Sequence, residues 1–286
     1  MAGAGERRVA AIIPCKDEAD RIAATVEAVL GLDGVDRVVV VDDGSTDDTA
    51  AVADAAGADV IVHARNAGKA AALETGVRHL RELEVADTTN GSATTNGSPL
   101  AHGSALANGT AHGTANGRAT AGQAAPRHLL FVDGDLEGSA SNLHVLLPPV
   151  LEGRADLTIA TLPPQSTAGG GHGFVVRLAR DGIENLTGWT ARQPLSGMRC
   201  LTAEAFEAAS PLAPGWGVEV GLTVDILSAG LRVEEVPCEL QHRVSGKDWR
   251  GQVHRAKQYR DVWRALTRRR VHKVLTERAP GVAHRF

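Results

Sequence analysis

Short runs of β-branched and aliphatic residues alternate with longer alanine-rich stretches of helical period through the first half of the chain. The runs at 9–14, 37–41, 59–63, 128–132 and 156–161 read as strands, and 17–30, 46–56, 68–83 and 142–152 as helices. Acids opening the first helix suit its N-terminal dipole, and 37–41 is apolar enough to be buried on both faces. Such alternation means a mostly parallel sheet with helices on both faces. Ligands then bind beyond the C-terminal ends of the strands. The second half is less regular. A helix is expected at 174–186, a strand or its approach at 193–200, a helix at 218–229 closed by Gly230, and a strand at 231–239. A final helix over 248–273 carries Val253, Ala256, Tyr259, Trp263 and Leu266 on one face and arginines on the other.

Residues 88–126 break the pattern. This stretch repeats Asn-Gly-Ser, Ala-His-Gly and Ala-Asn-Gly-Thr units and holds one charged residue, Arg118. With almost no large apolar side chains it cannot offset its ordering entropy, so it reads as a disordered insertion. Its histidines, His102 and His112, are too loosely spaced to suggest a metal site. The remaining chain is long enough for one α/β domain over 1–247, with a nucleotide half (1–137) and an acceptor half (138–247), followed by a basic helix and tail over 248–286. Only nine aromatic residues occur in 286, so the core must be built from Val, Leu, Ile and Ala.

The net charge of -4 argues against a surface made for nucleic acid. It also hides an asymmetry. From Gln241 onward thirteen Lys and Arg face three acids, so the first 240 residues carry the balancing negative charge. A basic end of this kind meets an anion or forms a solvated helix face. Cys15, Cys200 and Cys238 are far apart with no paired spacing, which fits free thiols in a reducing cytoplasm and no zinc site. No signal peptide and no membrane span is expected.

Three motifs could carry chemistry. Asp133-Gly134-Asp135 follows an apolar strand, where two carboxylates one residue apart can approach one hard divalent cation. The alternative is a plain Asp-Gly turn. Asp42-Asp43-Gly44-Ser45-Thr46-Asp47 follows another strand, with Thr46 or Asp47 available to cap a helix. Gly68-Lys69 puts a close backbone approach and a cation at a helix start, suited to a phosphate but without the Walker spacing.

Together with Pro14, Asp17 and Glu18, these motifs stand in the order and spacing of the nucleotide-sugar-dependent GT-A glycosyltransferases of family-2 type, which the chain resembles over residues 9–137. The resemblance implies a GT-A fold: a Rossmann-like sheet, a mixed acceptor half and a C-terminal amphipathic helix. It implies that Pro14, Asp17, Glu18, Asp42, Asp43, Ser45, Gly68, Lys69, Asp133 and Gly134 hold the nucleotide-sugar. Asp133 and Asp135 would serve ribose and a Mg²⁺ or Mn²⁺ ion. The blocks around Gly197, Glu219 and His242-Arg243 are similar to glucosyl-3-phosphoglycerate synthases, as is the triple glycine at 169–171. By that likeness His242 joins Asp133 and Asp135 at the metal, Lys69 and Asp135 assist catalysis, and Glu219 faces the acceptor. Gly170, Gly171, His172, Gly197, Arg199 and Arg243 would line the acceptor site. The donor implied is UDP-glucose.

One departure matters. The synthases follow the triple glycine with an Arg and a Thr that hold the acceptor's anionic groups, whereas His172 and Phe174 stand here. Phenylalanine cannot replace a hydroxyl, nor histidine a bidentate guanidinium. Leu195 to Arg199 and His242 to Lys247 are in turn similar to polyprenyl-phosphate glycosyltransferases. Two readings of the acceptor therefore stand: a small hydroxylated or phosphorylated metabolite with retention of configuration, or a polyprenyl phosphate with inversion. The expected setting is the cytoplasm, with peripheral contact at the inner membrane face through the basic helix and homodimer formation both left open. A nucleotidyltransferase would open with a Gly-rich basic loop, which the residues after Ile13 do not form. A nucleotide-sugar sensor would lose Glu219 or His242, and both are present.

Overall fold

The computed structural model describes residues 8–93, 126–162, 172–240 and 249–278. Among them seven strands form one sheet: β1 (Val9–Cys15), β2 (Val35–Asp42), β3 (Asp59–Val62), β4 (His128–Phe131), β5 (Leu157–Thr161), β6 (Arg199–Leu201) and β7 (Val233–Pro237). The order is β3-β2-β1-β4-β6-β5-β7. Only β6 runs against its neighbours, between β4 and β5. The chain leaves β1 for β2 on one side and later returns to β4 on the other. That reversal opens a crevice at the C-terminal ends of β1, β2 and β4, where the strand-end acids lie.

Alternation along the central strands sorts the core. Val9, Ala11, Ile13, Val38 and Val40 face one layer, which includes Ile22, Val26 and Val29 of α1 (Ile22–Leu30). Ala10, Ile12, Val39 and Val41 face the other, with Leu73, Val77 and Leu80 of α3 (Lys69–Ala93). Both faces are therefore covered, and each buried Leu or Ile adds about 1.5–3 kcal/mol of transfer free energy. α2 (Thr49–Ala55) lies between β2 and β3 in sequence. A 3-10 segment (Glu137–Leu146) followed by α4 (Leu147–Leu151) replaces the single helix expected over 142–152.

Several expected boundaries move for local reasons. The first helix starts at Ile22 rather than residue 17, because Asp17 adopts a left-handed backbone (φ 54°) and its carboxylate is engaged elsewhere. The second begins at Thr49 rather than Thr46. α3 continues to Ala93, ten residues beyond the expected Leu83, so the first residues assigned to the insertion are helical. The rest of the expected insertion, up to residue 125, lies outside the described residues.

The helices of the second half are α5 (His172–Thr187), α6 (Ala203–Ala209), α7 (Val218–Ser228) and α8 (Trp249–Arg278). Val175, Ala179 and Ile183 of α5, Val220 and Val224 of α7, and Val262 and Leu266 of α8 share one apolar cluster. The expected apolar face of α8 is thereby corrected: Val262, Ala265 and Leu266 are buried, while Tyr259 and Trp263 are exposed. Glycines set this rotation. A Cβ on Gly182 would meet Leu266 Cδ1 at 2.3 Å, and one on Gly217 would meet Ala265 Cβ at 2.8 Å. Gly182→Leu should therefore push α8 outward and cost about 2 kcal/mol by overpacking, seen as a melting temperature lower by several degrees. An unchanged melt would show that α8 does not seat there.

Candidate active site

Two loops are laced together beyond β1 and β2. Asp17 N–H donates to Ser45 Oγ at 2.9 Å, Glu18 N–H to Thr49 Oγ1 at 2.8 Å, and Ala19 N–H to Asp47 Oδ2 at 3.2 Å. In return, Thr46 N–H donates to Asp17 Oδ1 at 2.7 Å. That bond holds the Asp17 carboxyl below the ordinary range. Asp42, buried at the end of β2, accepts from Ser45 N–H at 2.8 Å. Glu18 is engaged by the Arg21 guanidinium, with Arg21 Nε at 2.7 Å. Pro14 lies one residue before the end of β1. The acids expected at the nucleotide thus first build the rim of the crevice, where backbone N–H groups hold Asp17 and Asp42 and the Arg21 guanidinium holds Glu18.

Asp43 has an inward task. Its carboxylate accepts from Ala67 N–H at 2.7 Å, Gly68 N–H at 2.8 Å and His63 Nδ1 at 2.8 Å. Burial alone would raise its pKa, and these bonds together hold it below the ordinary value. They clamp the turn in which Gly68 takes φ +91°, immediately before Lys69 opens α3. Asp43, expected from sequence among the donor-binding residues, thereby also positions the Gly68 turn. His63 was missed by the sequence reading; its place one residue after β3 was the available signal.

At the crevice floor Lys69 Nζ lies 2.7 Å from Asp133 Oδ1 and 3.2 Å from Glu219 Oε1. These three residues, 150 apart at the extremes, meet because the N-terminus of α3, the end of β4 and the N-terminal turn of α7 converge. Burial would lower the Lys69 pKa, but the charges of Asp133 and Glu219 outweigh it and hold the ammonium above its ordinary value. The lysine is therefore a fixed cation at neutral pH, not a proton acceptor. Gly197 packs directly against it: a Cβ there would sit 2.4 Å from Lys69 Nζ and 3.1 Å from both Asp133 oxygens.

The turn through Gly134 is anchored by Thr25, a buried residue of α1. Thr25 Oγ1 donates to Gly134 O at 3.0 Å and accepts from Glu137 N–H at 2.8 Å. A lone threonine among apolar helix positions was the overlooked sign. Asp135, partly exposed beyond this turn, makes no hydrogen bond or ion pair among the described residues. One free carboxylate beside one shared with Lys69 is a hard-oxygen donor set that fits Mg²⁺ or Mn²⁺ when diphosphate and water oxygens fill the other positions. No group of three or more His, Cys, Asp or Glu converges on a metal site among the described residues. His242 and Arg243 lie outside them, as do Gly170 and Gly171, and the side chain of His172 is likewise not described.

Arg199 is a correction. Expected to touch the acceptor, it is 1% exposed. Its Nε donates to Ser196 O at 2.8 Å and its Nη1 to Thr223 Oγ1 at 3.0 Å. Burial draws its pKa down to about 10, against the opposing pull of Glu219 and Glu235, so it stays charged and ties the loop before Gly197 to α7. Phe174 is 73% exposed, with the Arg177 guanidinium 4.7 Å over its ring. Cys15, at the end of β1, is a buried thiol pushed up to about 12, first by burial and then by nearby acids, so it is no nucleophile.

Residues 10–82 match the model of glycosyl transferase family 2. A curated relative, glycosyltransferase AglJ of Haloferax volcanii, is 24% identical over 249 residues, which is 84% of this chain. The chain spans 65% of that relative's length. Among solved structures, glucosyl-3-phosphoglycerate synthase of Mycobacterium tuberculosis with Mn²⁺, UDP and phosphoglyceric acid is similar at 25% identity and TM-score 0.62, covering 92% of this chain and 78% of that one. The same synthase with Mn²⁺, UDP-glucose and phosphoglyceric acid gives 26% identity and TM-score 0.60, covering 92% and 79%. These comparisons give a glycosyl transferase family 2 match over residues 10–82 and a fold similar to that of the synthase over most of the chain. No helix among the described residues is long and apolar enough to cross a membrane.

Proposed function

We propose that this protein is a metal-dependent glycosyltransferase that moves glucose from UDP-glucose to a small hydroxylated or phosphorylated metabolite with retention of configuration. The observation that carries this reading is the Lys69–Asp133–Glu219 constellation at the sheet's C-terminal crevice, with Asp135 free beside it. The structural likeness to a synthase solved with Mn²⁺ and UDP-glucose supports it.

Pro14, Asp17, Glu18, Asp42 and Ser45 form the rim that receives the nucleoside, and Gly68 and Gly134 let the backbone approach it. Asp135, with Asp133 and His242, would hold the Mg²⁺ or Mn²⁺, which when bound offsets negative charge on the diphosphate. Lys69 adds a second fixed cation where leaving-group charge develops. Glu219, half neutralised by Lys69, orients the acceptor hydroxyl and does not attack the sugar. Gly170, Gly171, His172, Gly197 and Arg243 line the acceptor side, with Arg199 holding the loop from beneath.

Gly197→Ala should lower kcat about 10²-fold by displacing the Lys69 ammonium, with the fold intact because the displaced atom ends a flexible side chain. Wild-type kcat in that variant would remove Lys69's position from the account. The exposed basic surface of α8 favours a second reading, inverting transfer to a polyprenyl phosphate. Product NMR decides between them: an α-glucoside of a soluble acceptor supports the first reading, and a β-glucosyl phospholipid replaces it with the second.

A further inference from the structure

α8 presents two dissimilar surfaces. Val262, Ala265 and Leu266 are buried against the domain, and Arg269 pairs with Asp225 of α7, Nε to Oδ1 at 2.7 Å. The opposite half carries Tyr259, Trp263, Val271, Val274 and Leu275, all exposed, with Trp263 51% and Leu275 62% accessible. Every described residue from Arg270 to Leu275 is exposed. Interleaved with these side chains are Arg264, Arg268 and Arg270, which have no acidic partner among the described residues. The helix sequence holds ten Lys and Arg against two acids, Asp261 and Glu277.

We propose that this face of α8 docks on an anionic lipid bilayer surface. Indole and phenol rings favour the headgroup level, aliphatic side chains the acyl boundary just beneath, and arginines pair with lipid phosphates while their stems stay in apolar surroundings. No other occupant uses all three. A second copy would bring two strongly basic helices together. A nucleic acid would satisfy the arginines and stack on the rings but leave Val271, Val274 and Leu275 in water. The rest of the chain is acidic, so an anionic bilayer attracts this end and repels the remainder, which fixes one orientation. Glycine seats at Gly182 and Gly217 lock the helix rotation and keep the apolar side chains outward in the absence of lipid. The inference is independent of which acceptor the active site uses.

The full-length chain should co-sediment with phosphatidylcholine vesicles containing about 30% phosphatidylglycerol at about 0.1 M salt, and not with phosphatidylcholine alone. Trp263→Ser/Val271→Ser and Arg264→Gln/Arg268→Gln should each weaken partitioning about tenfold or more, with circular dichroism and melting unchanged because all four positions are exposed. Equal binding to neutral vesicles, no binding to either, or binding that neither variant weakens would overturn the proposal. So would a concentration-dependent dimer abolished by Trp263→Ser/Val271→Ser without vesicle binding.

Discussion

Asp135→Ala should lower the rate of the proposed glucosyl transfer about 10³-fold while leaving the melting temperature within a degree or two of wild type. The side chain bears no hydrogen bond or ion pair among the described residues, so its removal leaves no buried partner unsatisfied. What it removes is the free carboxylate of the Asp133–Asp135 pair and, on the proposed reading, a ligand of the cation that would offset diphosphate charge. Mn²⁺ binding, measured by electron paramagnetic resonance in the presence of UDP, should weaken at least tenfold. A variant that keeps both near-normal turnover and wild-type Mn²⁺ affinity would take Asp135 out of the metal site.

Lys69→Met should reduce turnover about 10²- to 10³-fold and also lower stability, which separates it from Asp135→Ala. Glu219 is nearly inaccessible, and losing Lys69 removes the cation that it shares with Asp133, leaving two neighbouring carboxylates with less countercharge although the Arg199 guanidinium still acts on Glu219. Breaking a fully buried pair costs about 3–5 kcal/mol, and partial exposure of Lys69 and Asp133 reduces this to about 2 kcal/mol. Adding Glu219→Gln should restore most of the stability and none of the rate. The pH dependence follows from the raised Lys69 pKa. Its stabilising contribution is complete below the ordinary value of 10.5 and is lost as pH rises through the higher folded value. No loss of Lys69 charge is therefore expected between pH 6 and 9. Restored rate in the double variant would contradict the role of Lys69 at the leaving group.

Much of this architecture is legible in the residues. Alternation of strand and helix patterns carried the parallel half, because each central strand is buried on both faces and reads as a continuous apolar run, as in Val38 to Val41. The positions of Lys69, Asp133, Asp135 and Glu219 came from motif order and resemblance. Their mutual distances did not, since nothing local in the sequence reports that α7 returns its first turn to the end of β4. Division of labour among the acids was equally hidden. Asp42 and Asp43 are adjacent in an apparently uniform motif, yet successive side chains leave opposite sides of the backbone, and Asp43 turns toward His63 and the Gly68 turn. Arg199 is expected at an anion only through the resemblance of its block to known glycosyltransferases. Its burial depends on Thr223 and on carbonyls of Pro194 and Ser196 that only the tertiary fold assembles. The rotation of α8 was misread for a similar reason. Helical period ranks apolar faces by sequence alone, whereas the glycines at 182 and 217 decide which face can approach closely.

The measurement that bears most directly on the metal-dependent transfer is UDP release from UDP-glucose by the full-length chain, followed with Mn²⁺ and with excess EDTA, with and without 3-phosphoglycerate or an acceptor extract. UDP should appear in step with a glucosylated product, only when metal and acceptor are both present, and Asp135→Ala should abolish it. Release that is unchanged by EDTA, or an absence of UDP with every acceptor while the folded protein binds UDP-glucose, would contradict the account.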